Sequence, residues 1–223
     1  MTYRDILEGP EVPAPSGKTD SILLLLHGVG ADGKDLVGLA PLFQGVLPNT
    51  LCVSPNAPNA FDMGPAGFGG GYQWFSLKDT SPDAMIAGVK KASATLDKYI
   101  TALLEEYNLP ASKLGILGFS QGIMTGLYTA LRLPEPVACV AGYSGLVIGD
   151  ENMPNEVTAK PPVMLVHGAE DDIVPANLLD ISKAALEEVG VKADTHLRPG
   201  LAHGIDEEGI KMGIAFVQQH LAA

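Results

Sequence analysis

Two rhythms alternate along the chain. Short apolar runs recur at Ser21–Leu26, Leu51–Val53, Lys113–Leu117, Val137–Tyr143, Val163–His167 and Ala193–Arg198. Runs this short and this apolar suit strands buried on both faces of a sheet. Between them, apolar residues fall at helical spacing over Asp35–Leu47 (despite Pro41), Ile123–Tyr128, Ala176–Val189 and Glu207–Leu221. A further, long helix is predicted from Ser81-Pro82-Asp83, which reads as a serine N-cap, a proline at the first helical position and an acid in the first turn. It runs to about Tyr107, and Pro110 is expected to end it. Alternating strands and amphipathic helices predict an α/β fold, a mostly parallel sheet with helices on both faces.

Residues 10–20 carry Pro10, Pro13, Pro15 and Gly17 and read as an irregular lead-in. Residues 56–80 form a long irregular stretch that includes the glycine-rich run 64–71. Long loops in compact domains usually carry function. That run is not expected to cradle phosphate, because no strand precedes it and no Gly-Lys-Ser/Thr follows. Without a linker, a low-complexity segment or a repeat between residues 20 and 223, the chain reads as one domain spanning 1–223.

Composition is ordinary for a globular protein, with 46% hydrophobic and 18% charged residues. The net charge of −12 argues against nucleic acid and against stable association with anionic membranes. Cys52 and Cys139 lie in apolar runs and read as buried free thiols. There is no metal-spaced His/Cys cluster, and no apolar run approaches the ~18 residues that span a bilayer. The first residues lack a basic and then apolar leader, so a cytoplasmic location is expected.

The chemistry concentrates at Gly118-Phe119-Ser120-Gln121-Gly122, between a strand-like run and a helix-like run. That context is a nucleophile elbow, a sharp turn that lifts a serine hydroxyl above the sheet. The small residues two before and two after the serine let the turn close. A serine hydroxyl needs a base, and the base an orienting acid, in the chain order Ser, Asp or Glu, His. Of the five histidines, only His203 lies in a loop after a strand and downstream of a suitable acid. His27 and His167 read as turn-shaping residues, His196 as a sheet residue, and His220 as part of the last helix. The acid falls within Glu170, Asp171 and Asp172, and these residues alone do not separate the two aspartates. The oxyanion donors would be the Gln121 amide and, from His27-Gly28-Val29-Gly30, the Val29 amide.

Taken together, Leu26-His27-Gly28-x-Gly30, Gly-Phe-Ser-Gln-Gly, His167-Gly168-x-x-Asp171-x-x-Val174-Pro175 and Gly200-x-x-His203-Gly204 resemble the phospholipase/carboxylesterase family. That family comprises α/β-hydrolases, among them bacterial carboxylesterases and acyl-protein thioesterases. The resemblance covers nearly the whole chain from about residue 20. It implies Ser120 as nucleophile, Asp171 as acid and His203 as base, with Val29 and Gln121 as oxyanion donors. It also matches Gln73-Trp74-Phe75 to the family's aromatic segment, which implies that this loop lines the acyl or alcohol pocket. The segment between Asn56 and Tyr72 departs from the family pattern. The implied activity is hydrolysis of a small-molecule carboxylic ester through an acyl-enzyme, with no metal or cofactor. Lacking an obvious inserted cap, the cleft is expected to be open and shallow, which favours short-chain esters. An acyl-protein thioesterase or lysophospholipase is the alternative. A hydrolase-fold binding protein without turnover is a third reading, although such proteins usually lose a triad member. The resemblance also allows a homodimer.

Overall fold

The apolar runs pair side by side into one twisted sheet, and a computed structural model describes residues 2–64 and 70–222. The strands are β1 (Glu11–Val12), β2 (Ser21–Leu26), β3 (Thr50–Val53), β4 (Asn59–Ala60), β5 (Tyr72–Gln73), β6 (Leu114–Phe119), β7 (Cys139–Tyr143), β8 (Val163–Gly168) and β9 (Ala193–Arg198). Seven of them form the main sheet in the order β1-β3-β2-β6-β7-β8-β9. All its pairings are parallel except that of β1 with β3. β4 and β5 form a separate antiparallel pair.

The α-helices are α1 (Gly33–Val37), α2 (Ala40–Gln44), α3 (Pro82–Tyr107), α4 (Gln121–Ala130), α5 (Met153–Glu156), α6 (Leu178–Glu188) and α7 (Glu207–Leu221). They cover both faces, as the alternation predicts. β2 is apolar throughout, yet it still divides by the two-residue period of a strand. Ile22, Leu24 and Leu26 enter one core with Leu96 and Leu103 of α3, Ile123 and Leu127 of α4 and Leu186 of α6. Leu23 and Leu25 enter the other with Leu36 of α1, Phe43 of α2 and Val217 of α7. The buried positions of α3, including Val89, Leu96, Ile100 and Leu103, recur at the three-to-four spacing of one helix face.

Several local expectations are corrected. The segment Asp35–Leu47 is two helices broken near Gly38. Pro41 lacks an N–H, and its ring would clash with the Val37 carbonyl one turn back, so one continuous helix cannot form. The lead-in is not wholly irregular, because β1 closes the sheet edge and Tyr3 is buried edge-on against Tyr99. Ser81 stands at the N-cap of α3, but its side chain makes no capping bond. α3 stops at Asn108, which takes the left-handed conformation with φ 51°, two residues before Pro110. The stretch 56–80 contains the β4–β5 pair, and residues 65–69 of its glycine-rich run lie outside the described residues.

Cys52 and Cys139 are buried free thiols, as expected. They stand on β3 and β7, with β2 and β6 between them. At about 4.8 Å per strand that is roughly 14 Å, beyond the reach of a disulfide. Among the described residues no helix is long and apolar enough to cross a membrane.

The packing predicts the cost of a hole at the sheet centre. Leu24 is fully buried on β2. Leu24→Ala should lower unfolding free energy by roughly 2–5 kcal/mol in urea titration, whereas a loss below about 0.5 kcal/mol would contradict a rigid core there.

Candidate active site

Ser120 sits between the last residue of β6 and the first of α4, with φ 51° and ψ −122°. That conformation is costly for a non-glycine residue and persists only where the surroundings enforce it. Here the Ser120 amide donates to the Tyr143 carbonyl at 2.9 Å, which ties the elbow to β7. Close approach supplies the rest. A Cβ on Gly122 would lie 2.1 Å from the Leu26 carbonyl oxygen, and one on Gly118 would lie 2.7 Å from the Ile123 amide. Ser120 occupies the N-cap position of α4, but its side chain makes no capping bond. Its hydroxyl faces His203 instead.

The His203 Nε2 atom lies 3.1 Å from Ser120 Oγ. On the other side of the ring, His203 Nδ1 lies 2.8 Å from Asp171 Oδ2. An ionised carboxylate can only accept, so Nδ1 carries the proton and Nε2 presents a lone pair to the serine. The second Asp171 oxygen accepts from the Ile173 amide at 3.0 Å and the Val174 amide at 2.8 Å. Burial on its own pushes the Asp171 carboxyl up. The Val174 amide, the His203 ring and the Ile173 amide outweigh it and hold the group below the usual aspartate range. Glu170 and Asp172 are exposed on the same loop. The geometry therefore separates the two aspartates that the loop sequence leaves together.

The second wall comes from the loop after β2. His27 is fully buried, and its Nδ1–H donates to the Gly28 carbonyl at 2.7 Å while Nε2 accepts from the Ala57 amide at 3.0 Å. Burial pushes its pKa down, which keeps the ring neutral in this role. His27 thus shapes a turn, as its sequence context predicts. Among the described residues, the Val29 and Gln121 amides donate to no protein acceptor. The Gln121 amide is also at the N-terminus of α4, where the helix dipole favours negative charge.

Gln73, Trp74 and Phe75 reach the site from beneath it. Their side chains are buried, and Trp74 belongs to the main core. The Gln121 side chain binds this segment twice, accepting from the Trp74 amide and donating to the Phe75 carbonyl, each at 2.8 Å. The Trp74 indole N–H donates to the His27 carbonyl at 2.9 Å. The segment braces both the elbow and the loop after β2. Ser144, which no sequence signal marks, has φ 49° and donates its hydroxyl to the Gly204 carbonyl at 3.1 Å, beside His203. Phe119 packs its ring on that of His203, centroids 4.9 Å apart.

A sequence profile described as Phospholipase/Carboxylesterase matches residues 7–221. The chain belongs to the phospholipase/carboxylesterase family. It is a serine hydrolase of the α/β-hydrolase fold. Acyl-protein thioesterase 1 of Debaryomyces hansenii is 28% identical over 97% of the chain and 98% of the relative. Esterase YpfH of Escherichia coli is 23% identical, covering 94% and 84%. The crystal structure of esterase PE8 superposes with a TM-score of 0.90 at 37% identity, covering 96% of this chain and 99% of that one.

Two outcomes follow for this phospholipase/carboxylesterase. Asp171→Asn should cut kcat for ester hydrolysis by roughly 10²–10⁴-fold, since an amide mis-sets the histidine tautomer. Asp172→Asn should stay within about twofold, and the reverse ranking would reject the assignment. The depressed Asp171 pKa also stabilises the fold above the ordinary aspartate range, and that contribution is lost as pH falls through the lower folded value. The stability gap between wild type and Asp171→Asn, read by urea titration, should therefore narrow as pH drops from neutral to below that range.

Proposed function

We propose that this single-domain chain is a serine carboxylesterase for short-chain esters, with Ser120, His203 and Asp171 as its triad. The observation that carries the reading is the unbroken line of contacts from Ser120 Oγ through His203 to Asp171 Oδ2, beside two amides that have no protein acceptor among the described residues. Ser120 Oγ attacks the ester carbonyl carbon while His203 Nε2 takes its proton. The carbonyl oxygen becomes an oxyanion held by the Val29 and Gln121 amides. Collapse breaks the bond to the alcohol oxygen, which receives the proton from His203 and leaves an acyl-Ser120. Water, deprotonated by the same histidine, then attacks the acyl carbon and releases the acid and the free serine.

A small apolar groove supports a short substrate. It is lined by Asp35, Leu36, Leu39, Phe119, Ile205 and Ile210 and holds about 280 Å³, just below the usual range for ligand pockets. Of its lining residues, Phe119 packs its ring on that of His203, which sets that wall of the groove against the proposed base. The likeness to esterase PE8 points the same way. The name of the Debaryomyces hansenii relative favours a second reading, hydrolysis of acyl thioesters by the same residues.

Rates on p-nitrophenyl esters of increasing acyl length, compared with long-chain acyl thioesters, decide between the readings. The expectation is a maximum at short acyl esters. A maximum at long acyl thioesters would replace it with the thioesterase. In either case Ser120→Ala should lose roughly 10⁴–10⁶-fold in kcat, and a variant that kept turnover would end the proposal.

A further inference from the structure

His167 is the penultimate residue of β8, four residues before Asp171, and only 1% of its surface is exposed. Its Nε2 atom lies 2.7 Å from the Val174 carbonyl oxygen and 3.3 Å from Asp171 Oδ2. Both neighbours are acceptors, so Nε2 must carry the proton. Its Nδ1 is buried and has no partner among the described residues. A proton there would be a buried N–H with nothing to receive it, which disfavours the other tautomer. The Nε2–H therefore donates to the Val174 carbonyl, and the same nitrogen stands 3.3 Å from Asp171 Oδ2.

Three donors hold one carboxylate, and His167 stands against it as a fourth neighbour. The Ile173 and Val174 amides donate to Oδ1 and His203 Nδ1 to Oδ2, with His167 Nε2 3.3 Å from Oδ2. The contacts also close a ring, in which His167 holds the Val174 carbonyl while the Val174 amide holds Asp171. Rotation of the carboxylate about its Cβ–Cγ bond would break contacts on both oxygens at once.

We propose that His167 is a positioning residue for the reaction, a second histidine on the triad acid that fixes the carboxylate plane so that Oδ2 meets His203. The inference rests on Asp171 being the triad acid. It goes beyond turn-shaping because it assigns His167 a share in kcat.

Two measurements test it. Long-range proton–nitrogen NMR on the wild-type protein should show His167 protonated at Nε2. A ring protonated only at Nδ1 would overturn the proposal, because Nε2 could then not hold the Val174 carbonyl that closes the ring. In kinetics, His167→Leu should lower kcat by about 10–100-fold, the range seen when groups that orient metal-bound histidines are removed, with KM within about twofold. His167→Gln, whose amide can donate from near the Nε2 position, should recover most of that loss. Equal impairment of a folded Gln variant and the Leu variant, or a Leu variant within about twofold of wild type, would overturn it. Should His167→Leu fail to fold, the tautomer and the Gln variant still decide. Absence of esterase turnover in the wild type would instead reject the triad reading, a separate failure that the NMR experiment does not share.

Discussion

Everything in the site depends on how closely the turn after β6 presses on the backbone of β2. With Gly122 against the Leu26 carbonyl, no side chain larger than hydrogen fits between helix and strand. That contact seats the start of α4 directly over the sheet, and the strained Ser120 backbone follows from it. The cost is met by the cores on the two faces, where β2 contributes apolar side chains in both directions. A loosely packed sheet could not hold a serine at positive φ, and without that φ the hydroxyl would turn back to cap its own helix.

Much of this was legible in the amino-acid order. Strands buried on both faces announce themselves as unbroken apolar runs, and the elbow couples a strand signal, a helix signal and two glycines within a few residues. Where the reading went astray, a tertiary contact had overridden a local pattern. The helical spacing of Asp35–Leu47 is real, but Pro41 splits it into α1 and α2. The proline-rich lead-in still pairs as β1, because an edge strand needs only a few ladder bonds. Loop sequence alone does not tell Asp171 from Asp172, since what distinguishes them is which one the turn points inward.

The bracing residues were the least legible. Ser144 reaches the loop of His203 from 60 positions away in the chain, and Gln121 grips Trp74 and Phe75 across more than 40. Such pairings carry no local signature, as they exist only after the strands have aligned. The resemblance to the family marked Gln73-Trp74-Phe75 as part of the site, and the structure shows those side chains as buried supports.

The parallel topology has a consequence for the life of the chain. Ser120 and His203 are separated by 83 positions, and Asp171 and His203 by 32, so the three meet only when the strands from β6 to β9 have all paired. Contacts of such high sequence separation form late, after the entropy of closing long loops has been overcome. A nascent or half-folded chain therefore holds an ordinary serine of ordinary reactivity. If Ser120 is the nucleophile proposed above, completion of the sheet switches it on, and its reactivity is in effect a readout of whether the last strand has docked.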